Sequence, residues 1–457
     1  MGCCGPSRRT VLAAFAAATL GATVGRSGPV AAQADPLLAL DLEIVTVTDT
    51  GAVLTWTTFG LDAAGRPTPV PANTEVRLAP ADSPREPRTV HLDETATPFH
   101  YAEITGLEPG RPYRFQALAN GIRALPGPTL TTATPGAPEA CGEFTTLTPP
   151  PGRLLHTVAL ANDIHYGETV SGIVLAGFPP GYQSEQPYPR FMLDALLADL
   201  RAPDRDADML LVAGDLTNEA TPDESRGVRA QLDSWGALGT DYLMARGNHD
   251  RPHPGHPECA DCWGDAFLPR QQLTEHRLGE LRVLGLDTSA PEAAGGVIDR
   301  SQLDALGEAL RADPDRPTVV FGHHPVTAEA GLTNIGGPPF VLDRAAALEL
   351  QTLYRGAPGV FLHHSGHTHR TKRTRPDLYC AVEFLEVGAV KEYPGGYCLL
   401  RVYEGGYRVN FYKTRTEQAR RWSSLTRGEY FGTAPDYLLG TLPDRNHTVV
   451  RDFSGLR

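Results

Sequence analysis

The chain has 457 residues and a formal net charge of −13 at pH 7. This length exceeds that of one ordinary domain and suits two or three, each able to bury its own core. The acidic balance argues against nucleic-acid binding through a basic face. The 47 glycines and 40 prolines are about a fifth of the chain, below the roughly 25–30% that marks low-complexity disorder, so we expect a folded protein.

The first 34 residues predict an export signal. Ser7-Arg8-Arg9 precedes an alanine-rich apolar stretch from 11 to 24, and Ala32-Gln33-Ala34 offers small residues for cleavage. The segment resembles a bacterial twin-arginine signal. An ordinary secretory signal with two arginines is the alternative, because Val11 stands where the twin-arginine family usually has Phe. We expect export to the periplasm, the cell wall or the medium.

Removal of this leader would take away three arginines and no acid, which changes the net charge from −13 to −16. Beyond the leader, no apolar run approaches the roughly 18 residues that span a bilayer. We therefore predict no transmembrane segment in the mature chain.

Five cysteines follow the leader. Cys259 and Cys262 form half of a zinc motif, but no second CxxC completes it, so an exported protein favours a small disulfide loop there. Cys380 and Cys398 are predicted to pair across neighbouring strands, which leaves Cys141 as the odd thiol. The connectivity stays open at this level.

Residues 35–149 predict an all-β sandwich. Seven short alternating runs, separated by turn residues, occur within about a hundred residues. The predicted strands are Leu42–Thr48, Ala52–Thr58, Thr74–Leu78, Thr89–Leu92, His100–Ile104, Tyr113–Ala119 and Phe144–Leu147.

This region resembles a fibronectin type III domain. Leu107 to Tyr113 looks like that family's tyrosine corner, and Trp56 sits in an early strand as the family's core tryptophan does. The resemblance covers residues 39–148 and carries no chemistry. It implies contact with a cell wall or a surface partner.

Strands and helices alternate in residues 150–415, which predicts an α/β domain with its ligands at the carboxyl ends of strands. The predicted strands are Leu154–Leu160, Met209–Ala213, Tyr242–Ala245, Leu281–Leu286, Thr318–Phe321 and Val360–Leu362. The predicted helices are Arg190–Arg201, Glu224–Leu238, Ser301–Arg311 and Asp343–Tyr354. Asp299 and Gln302 predict a capping box, and Glu404 to Gly406 a hairpin turn. Residues 416–457 are assigned as a C-terminal extension.

Five short blocks carry the chemistry, each placed after an apolar run that reads as a strand. As candidate ligands they supply two carboxylates, one carboxamide and at least four imidazoles. The blocks are Asp163-Ile164-His165, Gly214-Asp215, Gly247-Asn248-His249-Asp250, Gly322-His323-His324-Pro325 and Gly366-His367-Thr368-His369. Any one block is weak evidence, but five in this order predict a site for two metal ions.

Two cations roughly 3.5–4 Å apart suit the hydrolysis of a phosphoester, because one activates water and both neutralise the developing charge. A single Asp can share its two oxygens between them. Two divalent ions, two Asp carboxylates and one bridging hydroxide leave about +1 at the site. We therefore expect a phosphate to be attracted despite the acidic chain.

The ordered blocks resemble those of the calcineurin-like metallophosphoesterases over residues 154 to about 415. The resemblance implies two β-sheets flanked by helices. It also implies that Asp163, His165 and His369 bind one metal, that Asn248, His323 and His367 bind the other, and that Asp215 bridges them. Imidazole and carboxylate ligands accept Mn, Fe, Zn or Co.

In the family, the histidine that corresponds to His249 faces the substrate and does not bind metal. The resemblance therefore implies that His249 is the general acid for the leaving oxygen. Asp250 is predicted to orient it.

Differences between this chain and individual branches of the family narrow the predicted activity. Purple acid phosphatases have Gly at the position of His165 and a metal-binding Tyr at that of Asn218. Calcineurin-type protein phosphatases have Asp-Arg-Gly where this chain has Leu216 to Glu219. The pattern is closest to class III cyclic-nucleotide phosphodiesterases. Secreted 5'-nucleotidases add a large C-terminal domain, and too few residues follow His369 for it.

Three functions remain open. A phosphodiesterase is favoured, a phosphomonoesterase or nucleotidase is the second candidate, and a surface-binding protein with a vestigial metal site is the third. For His324, His363 and His364, packing or support of ligands is the favoured role. Arg370, Lys372, Arg373 and Arg375 are predicted to be a solvated face more than a phosphate-binding rim. We expect the loops around the site to determine substrate specificity. These loops are Tyr166–Tyr188, Val326–Leu342 and Arg251–Trp263, the last of which contains His253 and His256.

Overall fold

A computed structural model describes residues 37–127, 137–172, 187–290, 293–429, 435–453 and 455. The predicted leader, residues 1–34, lies outside the described residues. The chain divides into two compact units, Met1–Leu147 and Thr148–Arg457. Among the described residues, no helix combines the length and the apolar character needed to cross a membrane.

The first unit consists of two antiparallel sheets. One has the order β1-β2-β3 with β6 also paired to β2, and the other has the order β5-β4-β7-β8 with β9 paired to β7. Its elements are β1 (Leu38–Val47), β2 (Ala52–Leu61), β3 (Pro67–Pro69), β4 (Ala72–Pro80), β5 (Arg88–Thr97), β6 (Phe99–Ile104), β7 (Pro112–Ala119), β8 (Ile122–Arg123), α1 (Pro138–Cys141) and β9 (Glu143–Thr145). All seven predicted strands are present. The added strands β3 and β8 are too short to show a pattern.

Aromatic contacts organise the core of this unit. Trp56 is buried and stacks on His100, with the ring centroids 4.7 Å apart. The backbone N–H of Glu108 donates to the hydroxyl of Tyr113 at 2.9 Å. This bond is the tyrosine corner that the sequence predicts, and it ties the start of β7 to the preceding turn.

The second unit contains two six-stranded sheets, with orders β12-β11-β10-β19-β20-β21 and β13-β14-β15-β16-β18-β17. Strands β10, β11 and β12 run parallel, as do β14, β15, β16 and β18. The strands are β10 (Leu154–Ala161), β11 (Met209–Ala213), β12 (Tyr242–Ala245), β13 (Thr274–Leu278), β14 (Leu281–Leu286), β15 (Thr318–Gly322), β16 (Val360–Ser365), β17 (Lys372–Thr374), β18 (Glu383–Glu386), β19 (Gly396–Tyr403), β20 (Gly406–Lys413) and β21 (Asn446–Val450). The predicted fold class, a β-sandwich followed by an α/β unit, is confirmed.

Helices accompany these sheets. They are α2 (Tyr188–Leu200), α3 (Pro222–Asp233), α4 (Cys262–Ala266), α5 (Arg300–Ala312), α6 (Ala328–Thr333), α7 (Arg344–Arg355), α8 (Glu417–Thr426), α9 (Pro435–Leu439) and α10 (Leu442–Arg445). The apolar faces of α5 and α7 join strand residues of the second sheet in one buried cluster. All four predicted helices are present, although the one predicted over Glu224–Leu238 ends at Asp233.

The predicted capping box of α5 is only half formed. Asp299 caps the helix by accepting the backbone N–H of Gln302 at 2.8 Å. The Gln302 side chain does not return the bond, because it is committed to the backbone of Asp287.

The described part of the predicted C-terminal extension, residues 416–457, is built into the second unit. Strand β21 pairs with β20, and the indole of Trp422 in α8 is buried and donates to the carbonyl of Lys391 at 2.7 Å. The hairpin between β19 and β20 turns at Glu404–Gly405 as predicted.

Cys259 and Cys262 form the predicted disulfide. The predicted pairing of Cys380 with Cys398 is wrong, because both are thiols. Cys398 lies buried in β19 of the first sheet, whereas Cys380 packs against the apolar cluster of the second. Cys141 is the third thiol outside a disulfide.

Candidate metal centre

The five blocks meet because of strand direction. Each block follows the carboxyl end of a strand: β10, β11 and β12 in the first sheet, and β15 and β16 in the second. The carboxyl ends of parallel strands lie at one edge of a sheet, so residues far apart in the chain converge.

Asp163, His165 and His369 form the first predicted ligand group. The Oδ1 atom of Asp163 lies 3.4 Å from Nε2 of His369 and 3.9 Å from Nε2 of His165. Asp163 and His165 are buried, and His369 is half-buried. One cation between these three atoms would be bound by a carboxylate and two imidazoles.

Asn248, His323 and His367 form the second group. Nε2 of His323 lies 3.0 Å from Oδ1 of Asn248 and 3.1 Å from Nδ1 of His367. The other ring nitrogen of His323 faces the carbonyl of Ala213 at 2.8 Å. A carbonyl only accepts, so this bond places the proton on Nδ1 and leaves Nε2 as the ligand atom.

Asp215 lies between the two groups. Its Oδ2 atom is 3.2 Å from Nε2 of His323 and 3.4 Å from Nε2 of His165. The structure thus brings all seven predicted ligands together, with Asp215 in the position that a bridging carboxylate requires.

Buried atoms without partners test whether metal ions fit here. Oδ1 of Asp163 and both ring nitrogens of His165 are buried and accept or donate no hydrogen bond. Leaving such atoms unsatisfied is costly, and a cation would satisfy Asp163 and one nitrogen of His165 directly. The residues therefore fit a dinuclear centre.

The charges of the site are strongly coupled. Burial opposes the charged form of His323, but Asp215 outweighs it and raises the pKa of His323 to about 9. Burial likewise opposes the charge on His369, yet Asp163 and Glu392 raise its pKa to about 10. Burial and the Lys391 charge lower the pKa of His165 to about 4. A neutral His165 beside ionised carboxylates suits a metal ligand.

Backbone strain is concentrated at the ligands. Asp163, His165, Asp215, His367 and His369 have φ angles of 53°, 49°, 51°, 68° and 52°. This left-handed region is uncommon for residues other than glycine, and persists where the surroundings impose it. The tight turns after the strands aim successive side chains at one point.

Two block glycines are explained by close approach. A Cβ on Gly247 would lie 2.1 Å from Oδ1 of Asp215, and one on Gly214, which has φ of 84°, would lie 2.6 Å from Nδ1 of His323. Neither position has room for a side chain, so the glycines allow the ligand loops to pack together.

His249 lies beside the ligands, and one of its ring nitrogens is within 4.8 Å of ligand atoms of His165 and Asp215. Its backbone N–H donates to Oδ1 of Asp215 at 2.9 Å, and its Nδ1 lies 2.8 Å from the carbonyl of Asn218. Because that carbonyl accepts, Nδ1 carries a proton and Nε2 remains for proton exchange. The ring packs edge-on against His165, at 4.5 Å between centroids.

The predicted role of Asp250 requires a correction. Its buried carboxylate accepts from the backbone of Leu216, Thr217 and Gly247 and from the Thr217 hydroxyl, at 2.6–3.2 Å. The partner of the His249 ring is Asn218 instead. Asp250 therefore joins two ligand loops and does not orient His249.

Sequence reasoning missed Glu392. Its Oε1 atom lies 2.7 Å from Nδ1 of His369, and its Oε2 atom accepts from the hydroxyl of Ser171 at 2.5 Å. The buried Lys391 ammonium bonds Glu168 and lies 3.6 Å from Glu392. No periodicity or motif marks this acid, because it lies in an irregular loop between β18 and β19.

Three histidines next to ligand blocks lie in the core with polar partners, as the packing role predicted for them requires. His324 faces the Thr288 hydroxyl at 2.8 Å, His363 the Tyr354 hydroxyl at 2.8 Å, and His364 the Ala161 carbonyl at 3.2 Å. All three are buried.

Three of the four cations in the basic run after His369 pair with carboxylates. Arg370 is buried against Glu386, Arg373 pairs with Glu383, and Lys372 lies 3.8 Å from Glu329. These cations are committed to carboxylates, so a phosphate is not their partner.

Comparisons with known proteins agree with this geometry. The calcineurin-like phosphoesterase family matches residues 156–371. A cAMP/cGMP dual specificity phosphodiesterase of Mycobacterium tuberculosis is 29% identical over 160 residues, 35% of this chain and 46% of that protein. A Synechococcus protein, named as a probable cyclic nucleotide phosphodiesterase, is 28% identical over 121 residues, 26% of this chain and 44% of that one. The chain thus spans less than half the length of these relatives.

Among solved structures, a purple acid phosphatase from yellow lupin (Lupinus luteus) seeds is similar at 16% identity and a TM-score of 0.43. The similarity covers 92% of this chain and 76% of that one.

Proposed function

The chain contains a calcineurin-like phosphoesterase domain, and from this premise we propose that the protein is an exported, dinuclear metal-dependent phosphodiesterase. The observation that carries the proposal is the position of Asp215. One of its oxygens lies within 3.4 Å of an imidazole from each of the two ligand groups. A carboxylate so placed would hold two cations at once.

When bound, two metal ions would supply Lewis acidity, activating water and neutralising charge on the phosphate. The chain's own residues supply the orientation. Asp163 is correctly turned because its Oδ2 atom accepts from the Asn162 side chain at 2.6 Å and from the His367 N–H at 3.0 Å. Its Oδ1 atom is thereby left for a cation.

His249 supports the proton-transfer step. The bond to Asn218 holds the ring so that Nε2 is the nitrogen left to exchange a proton. A protonated Nε2 can donate to the departing ester oxygen, which is otherwise a poor leaving group. His249 is therefore proposed as the general acid.

Metal analysis together with two substrates tests the proposal. Purified protein should contain about two metal ions per chain and hydrolyse bis(4-nitrophenyl) phosphate faster than 4-nitrophenyl phosphate. Asp215→Asn should lose metal and activity together. Faster turnover of the monoester would favour the phosphomonoesterase alternative. If the wild type holds no metal and its activity equals that of Asp215→Asn, the assignment as an enzyme is overturned and a vestigial metal site is favoured.

Export through a twin-arginine signal belongs to the same proposal and rests on residues 7–9 and the apolar stretch that follows. Fusion of residues 1–40 to a reporter that folds before export tests it. Replacement of Arg8 and Arg9 by lysine should abolish export, whereas an ordinary secretory signal would tolerate the change.

A further inference from the structure

A disulfide lies on the loop that follows the third ligand block, Gly247 to Asp250. Cys259 and Cys262 are bonded to each other, in the loop Arg251–Trp263 that begins directly after this block. Cys259 is half-buried, whereas Cys262 is only 5% exposed. Of the two residues, Cys259 is therefore the one that an incoming group reaches more readily.

This disulfide is poorly suited to stabilising the fold. It encloses two residues, Ala260 and Asp261, and a bond that closes so short a loop removes little entropy from the unfolded chain. Accessible disulfides are also reduced more readily than buried structural ones. The position of the bond thus suits exchange with a thiol more than a structural role.

His256 supplies an imidazole beside the disulfide. One of its ring nitrogens and the two sulfur atoms all lie within 4.8 Å of one another. The backbone N–H of Glu258 donates to Nδ1 of His256 at 3.2 Å, which ties the ring to the same loop. An imidazole so placed stabilises the thiolate that leaves when a disulfide is opened.

Asp261, inside the disulfide loop, is joined to the third ligand block through Arg246. The buried guanidinium of Arg246 donates to both carboxylate oxygens of Asp261, each at 2.8 Å. The same guanidinium donates to the carbonyl of Asp250 at 2.7 Å. It also lies over the ring of Trp263, 4.5 Å from the centroid. The residues on both sides of Cys262 therefore hold the side chain that precedes Gly247.

Ala260, the other enclosed residue, contacts the metal centre's surroundings by a second route. Its carbonyl accepts the backbone N–H of His253 at 2.8 Å. The ring of His253 contacts the carbonyl of Glu219, next to Asn218, whose own carbonyl holds the ring of His249. Both residues that the disulfide constrains thus bear on the loops that carry Asn248 and His249.

We propose that Cys259–Cys262 is a thiol–disulfide exchange site, and that its reduction by a dithiol weakens metal binding by the second ligand group. The inference goes beyond the proposed function and rests on it only for the metal centre. The physical reason is conformational freedom. Once the bond is open, Ala260 and Asp261 reach more conformations, and Arg246 loses the fixed partner that positions it against Asp250.

The exchange needs a dithiol as the reductant. One of its thiolates attacks the sulfur of Cys259, the S–S bond breaks, and Cys262 leaves as a thiolate that takes up a proton. The second thiolate of the reductant then attacks the reductant's own sulfur in the mixed disulfide and releases Cys259. Two electrons and two protons pass to the protein, and the dithiol becomes a disulfide.

Brief treatment of the folded full chain with dithiothreitol tests the exchange site. Alkylation followed by peptide mass mapping should find both Cys259 and Cys262 modified, with an unchanged circular dichroism spectrum. His256→Ala should slow the reduction about tenfold, because the leaving thiolate loses its imidazole. If the disulfide resists dithiothreitol until the chain unfolds, the exchange site is overturned.

Metal titration of the oxidised and the reduced protein tests the coupling, after the dithiol has been removed without air. Reduction should weaken one of the two metal sites about tenfold and change the other less than about twofold. A variant with both Cys259→Ser and Cys262→Ser should bind metal like the reduced protein, with or without dithiothreitol. Cys141→Ser, in the first unit, should respond to reduction as the wild type does.

Asp261→Ala tests the route through Arg246. This variant should weaken the same metal site about tenfold while the disulfide is intact, and reduction should then add less than about twofold. A full tenfold effect of reduction in Asp261→Ala would overturn the route.

The outcomes separate this inference from the proposed function. Equal metal affinity in the two redox states, with hydrolysis of bis(4-nitrophenyl) phosphate intact, would overturn the coupling alone. A protein that binds no metal in either state and hydrolyses no ester would overturn the proposed function and the coupling together.

Discussion

At the scale of the residue, hydrogen bonds to neighbouring residues hold the imidazole of His249 in place. Its N–H is tied to Asp215 and its ring to Asn218. The three polar residues of the block Gly247 to Asp250 therefore point in different directions. Asn248 faces His323, the ring of His249 faces outwards, and the carboxylate of Asp250 is turned inwards.

Replacement of His249 by alanine should lower kcat by about 10²–10⁴ and leave the metal content unchanged, because general-acid catalysis is lost without a ligand. Steady-state kinetics with bis(4-nitrophenyl) phosphate and metal analysis of the same sample measure both. Loss of metal in His249→Ala would show that the ring is a ligand and contradict its assignment.

Glu392 acts through His369. By accepting from Nδ1 it leaves Nε2 of His369 directed at Asp163. Glu392→Ala should weaken one of the two metal sites about 10–100-fold while the other keeps its affinity, as measured by metal titration. Glu392→Gln retains an acceptor oxygen, so its metal affinity should fall less than that of Glu392→Ala. Equal weakening of both sites would point to a general loss of structure instead of positioning.

At the scale of the element, the site depends on how the loops after the strands are joined. The loop after β11 carries Asp215, and the loop after β12 carries Asn248. The buried carboxylate of Asp250 accepts four hydrogen bonds from these two loops. It is the connection that keeps the bridging carboxylate beside the second ligand group.

Asp250→Ala would leave these buried donors without an acceptor, and should lower the free energy of unfolding by about 3 kcal/mol. Metal content should fall as well, in contrast to His249→Ala. Denaturant unfolding and metal analysis check this. Asp250→Asn keeps one acceptor oxygen, so its stability and metal content should lie between those of the wild type and Asp250→Ala. An Asp250→Ala variant with unchanged stability and metal content would mean that the loops hold their positions alone.

At the scale of the whole molecule, the C-terminal segment connects the two large sheets. Glu383 of β18 in the second sheet accepts from His447 of β21 in the first, at 2.6 Å. The Tyr407 hydroxyl and the Arg373 guanidinium donate to the other oxygen, each at 3.0 Å. The carboxylate is buried, so its partners are needed to keep it charged.

This connection should make the stability depend on acid. Burial tends to raise the pKa of Glu383, but His447 and Arg373 outweigh it and lower the value below that of an ordinary glutamate. A lowered folded pKa contributes stability above the unfolded value, near 4.3, and loses it as the pH falls through the folded value. Glu383→Gln should therefore cost about 1.5–3 kcal/mol at pH 7 and progressively less below about pH 4. Thermal unfolding from pH 3 to 8 measures this; a difference independent of pH would contradict it.

Much of this molecule could be predicted from local pattern. The strands of both units follow from alternating or continuous apolar runs, and the ligand blocks stand out because each follows such a run. Short strands such as β3 and β8 could not be predicted, because two or three residues are too few to show an alternating pattern. The capping box of α5 is only half formed, because the Gln302 side chain bonds the backbone of Asp287, 15 positions away, just after β14.

The amino-acid sequence by itself determined the order of the strands, the seven ligand candidates and the glycines between them, because these depend on periodicity and on spacing along the chain. Only the tertiary structure decided that Asp250 joins loops, that Asn218 holds His249, that Glu392 supports His369, and that Cys380 and Cys398 lie apart. The contacts among these link residues 23 to 34 positions apart, except for the bond between Asp250 and Gly247. Distance along the chain says nothing about such pairs until the sheets bring them together.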